Sequence, residues 1–309
     1  MNLFPNAANP ARRLRARLAA PRILQAPGCF DGLSARVLEA AGFEAGFLGG
    51  FSVAAVRLGL PDVGLLSYSE MLDQARNVCA ATALPIIGDA DTGYGNAVNA
   101  ERTLLGCARS GLACVMIEDQ QWPKRCGHTA GKAIVERGEA LARVRACARA
   151  REEHGLDIMI LARTDACATA GFDEALWRCE AFANAGADIT FLEAPERVDQ
   201  MQRYYERVSG FKTANLVEDG KTPWLAPEEL EQIGYSIVLY PVSLLLHGIH
   251  AMQDTCARLL AGGAESRPPG SRARFDEARA LLGWPDYDQR LRSLEDTPTD
   301  IPTPRTSKA

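Results

Sequence analysis

The chain has 309 residues, of which 47% are hydrophobic and 24% charged, and its formal net charge is -5 at pH 7. This acidic balance provides no basic patch for nucleic acid, and no apolar run reaches the roughly 18 residues that a membrane span requires. We therefore expect a cytoplasmic protein with no nucleic-acid partner and no membrane insertion, within the length range of single α/β barrels of about 250 residues.

In chain order, the Arg-rich segment 11–20 predicts an N-terminal surface helix rather than a transit peptide. After it, short apolar runs alternate with longer stretches of helical periodicity, as in repeated βα units. Strands are predicted at 23–26, 45–48, 85–89, 114–118, 158–162, 189–193, 213–217 and 237–240. The helices between them are predicted at 32–41, 68–81, 97–110, 139–153, 173–185, 198–208 and 227–232.

Eight strands separated by helices predict a closed (β/α)8 TIM barrel. A doubly wound sheet is the alternative, but it would normally carry a Gly-rich phosphate loop, and Gly93-Tyr94-Gly95 lacks the third glycine. We expect residues 1–295 to form one barrel domain with C-terminal helices. Residues 296–309 are rich in Pro, Thr and Asp and predict a flexible tail.

Polar residues stand where the predicted strands end. In a barrel the strand ends meet at the C-terminal face, where chemistry takes place, so we expect these side chains to converge. They are Asp89 and Asp91, Glu118 and Asp119, Arg163 and Asp165, Glu193, Asn215 and Glu218.

Asp89, Asp91 and Glu118 are the candidate metal ligands. Asp89 and Asp91 are two residues apart, so strand alternation should send both side chains to the same side, where Glu118 on the next strand can join them. Three carboxylates repel one another unless a cation lies between them, and oxygen ligands favour a hard ion such as Mg2+, with Mn2+ as a substitute. The alternative for Asp91-Thr92-Gly93 is a simple turn that caps a helix. The acidic and basic residues at the neighbouring strand ends favour the metal site.

Arg163 is suited to bidentate binding of a substrate carboxylate, and Glu193 and Asn215 are further candidate substrate contacts. The alternative for Arg163 is a structural salt bridge with Asp165 or Glu193. The pair Gly49-Gly50 ends the second strand, where backbone N–H groups can hold an anion, or where the chain simply turns.

The segment Lys124-Arg125-Cys126-Gly127-His128 surrounds a thiol with basic groups. Neighbouring cations lower a thiol pKa from its free value of about 8.5, which would prepare Cys126 to exchange a proton. A buried structural thiol is the usual alternative, but the polar, glycine-containing loop argues against it. The nine cysteines contain no C-x-x-C pair, which favours reduced thiols over a zinc site or disulfides.

Four motifs in this order resemble the isocitrate lyase and phosphoenolpyruvate mutase superfamily. They are Asp89-Ala90-Asp91-Thr92-Gly93-Tyr94-Gly95-Asn96, Ile117-Glu118-Asp119-Gln120 with the loop Lys124 to His128, Ala162-Arg163-Thr164-Asp165, and Asn215-Leu216-Val217-Glu218. The loop resembles that of the lyase branch. The chain length favours its short members, methylisocitrate lyase and dimethylmalate lyase.

This resemblance implies a barrel whose eighth helix is exchanged between subunits in a homotetramer built from dimers. It implies Mg2+ held by Asp91 directly and by Asp89 and Glu118 through water, with Asp62 near its outer shell. The substrate, a small carboxylic acid, would meet the amides of Gly49-Gly50.

The implied reaction is retro-aldol or Claisen-type cleavage of a 2-hydroxy di- or tricarboxylate, of the methylisocitrate or dimethylmalate type, to an oxo acid such as pyruvate and a second carboxylate. Arg163 would hold the oxo-acid half, and Gly127 would lie beside the substrate. Cys126 would be the general acid, with Lys124 and His128 setting its pKa. The loop would close over the ligand.

Two departures from the family pattern leave the substrate open. Phe47 and Gly49 stand where many members have Tyr and Ser, so two hydroxyl groups are missing from the expected site. A lost donor to a charged oxygen is worth about 1.5 to 3 kcal/mol. Pro241 resembles the lyases at a position where oxaloacetate hydrolases carry Ser. Oxaloacetate hydrolysis or decarboxylation, a phosphonomutase-type reaction and a catalytically weak oxo-acid-binding protein are the alternatives.

Overall fold

The computed structural model describes residues 9–127, 131–262 and 272–295. Residues 9–262 belong to one compact unit, and residues 272–295 belong to a second. The second unit contains the helices α12 (Phe275–Leu281) and α13 (Trp284–Glu295). The predicted tail, 296–309, lies outside the described residues, so the predicted domain boundary stays a prediction.

The first unit contains eight strands that all pair in parallel, which confirms the predicted barrel class. Two predicted strands coincide with the observed ones, and the others differ by one or two residues at an end. The strands are β1 (Leu24–Pro27), β2 (Gly46–Leu48), β3 (Ile86–Asp89), β4 (Cys114–Glu118), β5 (Met159–Thr164), β6 (Ile189–Leu192), β7 (Phe211–Asn215) and β8 (Ile237–Tyr240).

The barrel closes between its first two strands. Consecutive strands pair from β2 to β8, and β8 pairs with β1, with Leu24 opposite Ile237. The remaining gap is bridged at Gly28 and Phe47, and the Cys29 N–H donates to the Phe47 carbonyl at 2.8 Å. A sheet whose two edges meet has no open edge, so the doubly wound alternative is wrong.

Helices connect the strands, and several begin at side chains that cap their first N–H groups. Asp31, Ser67 and Asn96 each accept a hydrogen bond from the backbone of the first turn. The helices are α1 (Pro10–Leu18), α2 (Gly32–Ala40), α3 (Gly50–Val53), α4 (Tyr68–Ala81), α5 (Ala97–Arg109), α6 (Arg137–Glu153), α7 (Ala166–Thr169), α8 (Phe172–Asn184), α9 (Val198–Arg207), α10 (Pro227–Ile233), α11 (Ser243–Leu260), α12 and α13. A π-helical turn, Ala54–Leu58, follows α3.

The N-terminal helix differs from the expected surface helix in its burial. The helix forms, but Leu14 and Leu18 are buried in the cluster that fills the barrel interior. Arg15 and Arg13 bind groups that precede strands, since Arg15 pairs with Asp188 at 2.8 Å and Arg13 donates to the carbonyl of Ala83. The four-residue spacing of the leucines places both on one face, and that face closes the N-terminal end of the barrel.

The helix after β8 packs little within its own chain. Of the 18 residues of α11, only Leu245 is buried, while Leu246, Met252 and Leu260 are exposed. Exchange of this helix between subunits is not tested by a single chain and stays a prediction. None of the helices in the described part of the chain is long and apolar enough to cross a membrane. The cytoplasmic location also stays a prediction.

Candidate active site

A cavity of about 340 Å³ lies at the C-terminal face of the barrel. Residues at or after the ends of seven strands, β2 to β8, line it, together with the loop that follows β4. They include Phe47, Gly49, Gly50, Asp62, Asp89, Glu118, Lys124, Cys126, Gly127, Arg163, Phe191, Glu193, Asn215, Val217, Pro241, Val242 and Leu246. Most of the predicted site residues therefore face one space.

Asp89 and Asp91 come together for a different reason from the one expected. Strand alternation was expected to align them, but β3 ends at Asp89, and Asp91 lies in a turn with a left-handed φ of 49°. The Asp89 carboxylate stabilises this turn, because its Oδ1 accepts the Asp91 N–H at 2.9 Å. The turn buries Asp91 beneath the cavity floor, with 1% of its surface exposed.

The backbone amide of Gly50 also binds Asp89. Its N–H donates to Asp89 Oδ2 at 3.0 Å, so in this structure it contacts a carboxylate of the protein rather than offering itself to a substrate. A side chain at Gly50 would meet Asp89, Asp91 and Lys124 at 3.1 to 3.3 Å. Glycine at this position lets the carboxylate cluster approach the backbone closely, and a Cβ would force the cluster to shift by a few tenths of an ångström.

Lys124 was expected to tune the Cys126 thiol, and the structure places its ammonium among carboxylates. Its Nζ lies 2.7 Å from Oδ1 of both Asp62 and Asp91. Burial lowers the Lys124 pKa, but the facing carboxylates outweigh it and hold this pKa well above its usual value. Burial also raises the pKa of Asp91 to about 7, although Lys124 opposes that shift. The cluster requires positive charge.

The donor set of this cluster fits a hard divalent cation. Asp91 Oδ2 and Glu118 Oε1 are buried oxygens with no hydrogen-bond partner among the described residues. Within the same residues, no three His, Cys, Asp or Glu side chains come close enough to hold a metal ion by themselves. Carboxylates that cannot complete a ligand set alone are suited to Mg2+, which keeps several of its waters.

Arg163 forms ion pairs with three buried carboxylates. Asp165 accepts from its Nε and Nη2 at 2.9 and 3.0 Å, Glu193 lies 3.2 Å from Nη1, and Glu118 lies 3.4 Å from Nε. Both salt bridges that the sequence left as alternatives are present. Asp165 occupies the Nε–Nη2 edge and Glu193 lies at Nη1, so these carboxylates hold the guanidinium in place at the cavity wall. Asn215 contacts Glu193 at 3.4 Å.

Cys126 and Gly127 enter the cavity from the loop after β4. Cys126 is half-buried, and Gly127 is buried. A Cβ on Gly127 would lie 2.4 Å from Arg163 Nη2 and 2.9 Å from Glu193 Oε2, so the backbone of the loop lies directly on the buried charges. The loop thus covers Arg163. His128 lies outside the described residues, and its predicted role stays a prediction.

The two departures from the family pattern are sterically linked. A Cβ on Gly49 would lie 2.8 Å from Cε1 of Phe47, so the aromatic ring occupies the space that a side chain at position 49 would need. Phe47 is 4% exposed and lines the cavity. An apolar surface therefore replaces the two expected hydroxyl groups.

Sequence reasoning misplaced one residue and left another without a role. Asp119 was expected at the barrel mouth, but its Oδ2 accepts from Thr164 at 2.6 Å and from Arg178 of α8 at 3.0 Å. It follows Glu118 directly, and alternation sends the two side chains to opposite sides. Lys132 received no role, although its ammonium is buried against Asp165. Its only sequence signal was its place in the same polar loop as Cys126.

The chain is similar to known proteins in both sequence and structure. The family model for phosphoenolpyruvate phosphomutase matches residues 14–260. The chain is 40% identical over 287 residues to 2,3-dimethylmalate lyase from Eubacterium barkeri, covering 93% of this chain and 97% of that protein. It is 39% identical over 287 residues to 2-methylisocitrate lyase from Bacillus subtilis (strain 168), covering 93% and 94%. A solved structure of oxaloacetate acetylhydrolase with the inhibitor 3,3-difluorooxalacetate aligns with a TM-score of 0.88 at 31% identity, covering 93% and 97%.

Proposed function

The chain belongs to the phosphoenolpyruvate mutase and isocitrate lyase superfamily and is an oxo-acid lyase, and from this premise we propose which bond it breaks. The substrate is a 2-hydroxy di- or tricarboxylate with a methyl group on C2, of the dimethylmalate or methylisocitrate type. Cleavage of the C2–C3 bond gives an α-oxo acid such as pyruvate and a second carboxylate. One observation carries the proposal: Cys126, Arg163 and an apolar wall line the same cavity.

The apolar wall supports an alkyl-bearing substrate. Phe47, Phe191, Val217, Val242 and Leu246 line the cavity, whose other surface carries Arg163 and the carboxylates. A methyl group gains free energy on such a wall, at roughly 0.8 kcal/mol for each buried carbon group. A polar substituent there would lose its hydrogen bonds to water. The pocket therefore favours methylated acids over their unsubstituted analogues.

We propose that Asp91, with Asp89 and Glu118, holds Mg2+ or Mn2+. The unpartnered oxygens of Asp91 and Glu118 support this assignment. When bound, the cation supplies Lewis-acid stabilisation of charge on the oxo-acid half. The ammonium of Lys124 lies 2.7 Å from carboxylate oxygens of both Asp62 and Asp91, so it offsets part of the negative charge of the cluster.

The protein's own residues then direct the proton and the charge. A base takes the proton of the C2 hydroxyl and the C2 oxygen forms the carbonyl of the oxo acid. The C2–C3 bond breaks, and its electron pair passes to C3 and the adjoining carboxylate. Arg163 stabilises carboxylate charge from a position fixed by Asp165 and Glu193. Cys126 donates a proton to C3. Gly127, packed on Arg163, keeps water from reaching the carbanion first.

The direct test is a substrate panel. The protein with Mg2+ is incubated with 2,3-dimethylmalate, 2-methylisocitrate, isocitrate and oxaloacetate, and pyruvate, glyoxylate and oxalate are measured. We expect pyruvate from one of the two methylated acids at a kcat/KM at least tenfold above that for isocitrate. Oxalate from oxaloacetate as the main product would instead support the hydrolase alternative. Tight oxalate binding without turnover would rule out both enzymes and leave an oxo-acid-binding protein.

The role of Cys126 is tested by Cys126→Ser. Removing a general acid lowers kcat by roughly 10²- to 10⁴-fold. Cys256→Ser is the matched control, because Cys256 lies on α11 and does not line the cavity, and we expect it to keep wild-type kcat. A fully active Cys126→Ser variant would exclude the proton-donor role while leaving the lyase assignment intact.

The metal assignment is tested by Asp91→Asn with calorimetric titration of Mg2+. Substitutions around a metal commonly weaken its binding by about 10- to 100-fold, and a direct ligand should lose at least that much. Asp73→Asn is the control, since Asp73 is half exposed and pairs with Arg57 away from the cavity. Equal Mg2+ affinity in the two variants would refute the assignment.

We also propose that the protein assembles as a homotetramer built from dimers that exchange α11. This helix exposes four apolar side chains, Leu246, Met252, Leu259 and Leu260. Apolar side chains are more stable when buried against a second subunit than in contact with water, which supports the exchange. Light scattering should give the mass of four chains. Deletion of residues 243–309 should leave a species of lower order, and a truncated chain that stays tetrameric would contradict the exchange.

A further inference from the structure

Lys132 connects the loop after β4 to the charged floor of the cavity. Its side chain is 3% exposed, and its ammonium donates both to the carbonyl oxygen of Gly127 and to Asp165 Oδ1, the latter at 2.6 Å. Asp165 is fully buried. A buried ammonium with two oxygen acceptors forms charge-assisted hydrogen bonds, which are among the strongest in proteins.

Each of these two partners touches the reacting part of the site. Gly127 follows Cys126 directly and lies against Arg163 and Glu193, since a Cβ added to it would come within 2.4 Å of the first and 2.9 Å of the second. Asp165 binds Arg163 through two hydrogen bonds. The ammonium therefore links the residue beside the thiol to the residue that orients the guanidinium.

The position of Lys132 is itself well defined. Gln120 and Ile134 form an antiparallel bridge, and the Gln121 N–H donates to the Ala133 carbonyl at 2.8 Å. Val135 N–H donates to the carbonyl of Asp119, the residue after β4, at 2.9 Å. The backbone around Lys132 is therefore fixed by hydrogen bonds next to the barrel. Because its ammonium binds the Gly127 carbonyl, that fixed position also restrains Cys126, the residue before Gly127.

Charge balance gives the ammonium a second effect. Three buried carboxylates, Glu118, Asp165 and Glu193, surround the single guanidinium of Arg163. Lys132 brings a second positive charge to Asp165. Without it, Asp165 would attract Arg163 more strongly, and the carbonyl of Gly127 would lose its charged donor.

We propose that Lys132 is a positioning residue, which holds Cys126 over the substrate by bridging Gly127 and Asp165. The bridge acts through its partners and needs no contact between Lys132 and the substrate. The consequence for catalysis rests on the proposed lyase function, whereas the placement of the thiol does not.

The test measures the thiol directly. Wild-type protein and the variants Lys132→Met and Lys132→Arg are treated with iodoacetamide. Mass spectrometry of peptides then compares the rate of alkylation of Cys126 with that of Cys256 in the same molecules, because Cys256 lies on α11 and none of the variants alters that helix. Lys212→Met is the matched control. Lys212 is also a buried lysine and donates to the Gly210 carbonyl at 2.9 Å, but it lies at the start of β7, at the opposite end of the barrel.

Lys132→Met should change the Cys126 to Cys256 rate ratio upward by about tenfold, which corresponds to about 1.4 kcal/mol in the placement of the loop. Lys132→Arg keeps the charge and should restore the ratio to within about threefold of wild type. Lys212→Met should leave it unchanged even where it lowers the melting temperature. An unchanged ratio in Lys132→Met, or an equal change in Lys212→Met, overturns the proposal.

The same variants separate this proposal from the proposed function. If a substrate of the panel is turned over, Lys132→Met should lower kcat by about tenfold, with a smaller change in KM, because the thiol is displaced while Asp165 and Glu193 still hold Arg163. If no substrate is turned over, the lyase assignment fails while the alkylation ratio still decides the role of Lys132. A changed kcat with an unchanged ratio would refute positioning of Cys126.

Discussion

Gly127→Ala adds one methyl group between the loop and the buried charges, and its effect on catalysis should be far larger than its effect on stability. The backbone at Gly127 does not have the left-handed φ that favours glycine, so alanine introduces no backbone strain there. The perturbation is therefore steric. It falls on Arg163 and Glu193, the groups that the loop covers.

The structure gives the size of the displacement. The new Cβ would lie 2.4 Å from Arg163 Nη2 and 2.9 Å from Glu193 Cδ and Oε2. Non-bonded heavy atoms prefer about 3.5 to 4.0 Å, so the loop and the guanidinium must separate by about 1 Å. A misplacement of about 1 Å in an active site costs about 10²-fold in rate. Both Cys126 and Arg163 are displaced, because Gly127 joins one and packs on the other.

The assay is kcat on the best substrate of the panel, with the melting temperature measured in parallel. Gly138→Ala is the matched control, because a Cβ at Gly138 meets no atom within 4 Å and the residue lies in the first turn of α6. We expect a loss of about 10²-fold in kcat for Gly127→Ala, and wild-type kcat for Gly138→Ala. Wild-type kcat in Gly127→Ala would refute the closed packing of the loop on Arg163.

Two further predictions concern the ion pairs that Arg178 makes with Asp119 and Glu174. Arg178→Met leaves the carboxylate of Asp119, which is 1% exposed, without its cation, and should destabilise the protein by about 3 to 5 kcal/mol in urea unfolding. The hydrogen-bonded Arg137 lowers the pKa of Glu174 most, burial opposes this shift and Arg178 adds to it. The pKa lies at about 2 against an ordinary 4.5. The stabilisation that ionised Glu174 gives the folded protein is therefore complete above pH 4.5 and is lost as the pH falls toward about 2. The difference in unfolding free energy between wild type and Glu174→Gln should shrink between pH 5 and pH 3.

Each of these predictions has a clear contradiction. Arg149→Met removes an ion pair in which the arginine is 62% exposed, and it should cost at most about 1 kcal/mol. If Arg178→Met cost no more than this, the Arg178–Asp119 pair would not stabilise the fold as a buried ion pair should. A difference for Glu174→Gln that grew as the pH fell would contradict the depressed pKa.

The strands and helices follow from local patterns, and the sequence predicted them closely. The strands at 114–118 and 237–240 and the helix at 68–81 coincide with β4, β8 and α4. Periods of two and of 3.6 residues are properties of neighbouring residues, and caps such as Ser67 act within a single turn. Parallel pairing brings the C-terminal ends of all the strands to one face of the barrel, so the position of the site was predictable as well.

Burial on one side of an element was less predictable. The arginines of α1 indicated a surface helix, yet Leu14 and Leu18 close the end of the barrel. Asp119 was assigned to the mouth with Glu118, although the pleat turns it toward Arg178. In both cases the interpretation relied on where charged residues stand in the sequence. The fold instead follows the face of the helix or strand on which each side chain lies.

The sequence by itself determined the barrel, the edge that carries the chemistry and the residue types available there. The tertiary structure decided which of these charges pair. Lys124 lies with Asp62 and Asp91, Arg163 lies among three carboxylates, and Lys132 bridges Gly127 and Asp165. The reason is physical: an electrostatic contact depends on distances of about 3 to 4 Å. Strand stagger and the path of a loop set those distances between residues far apart in the chain.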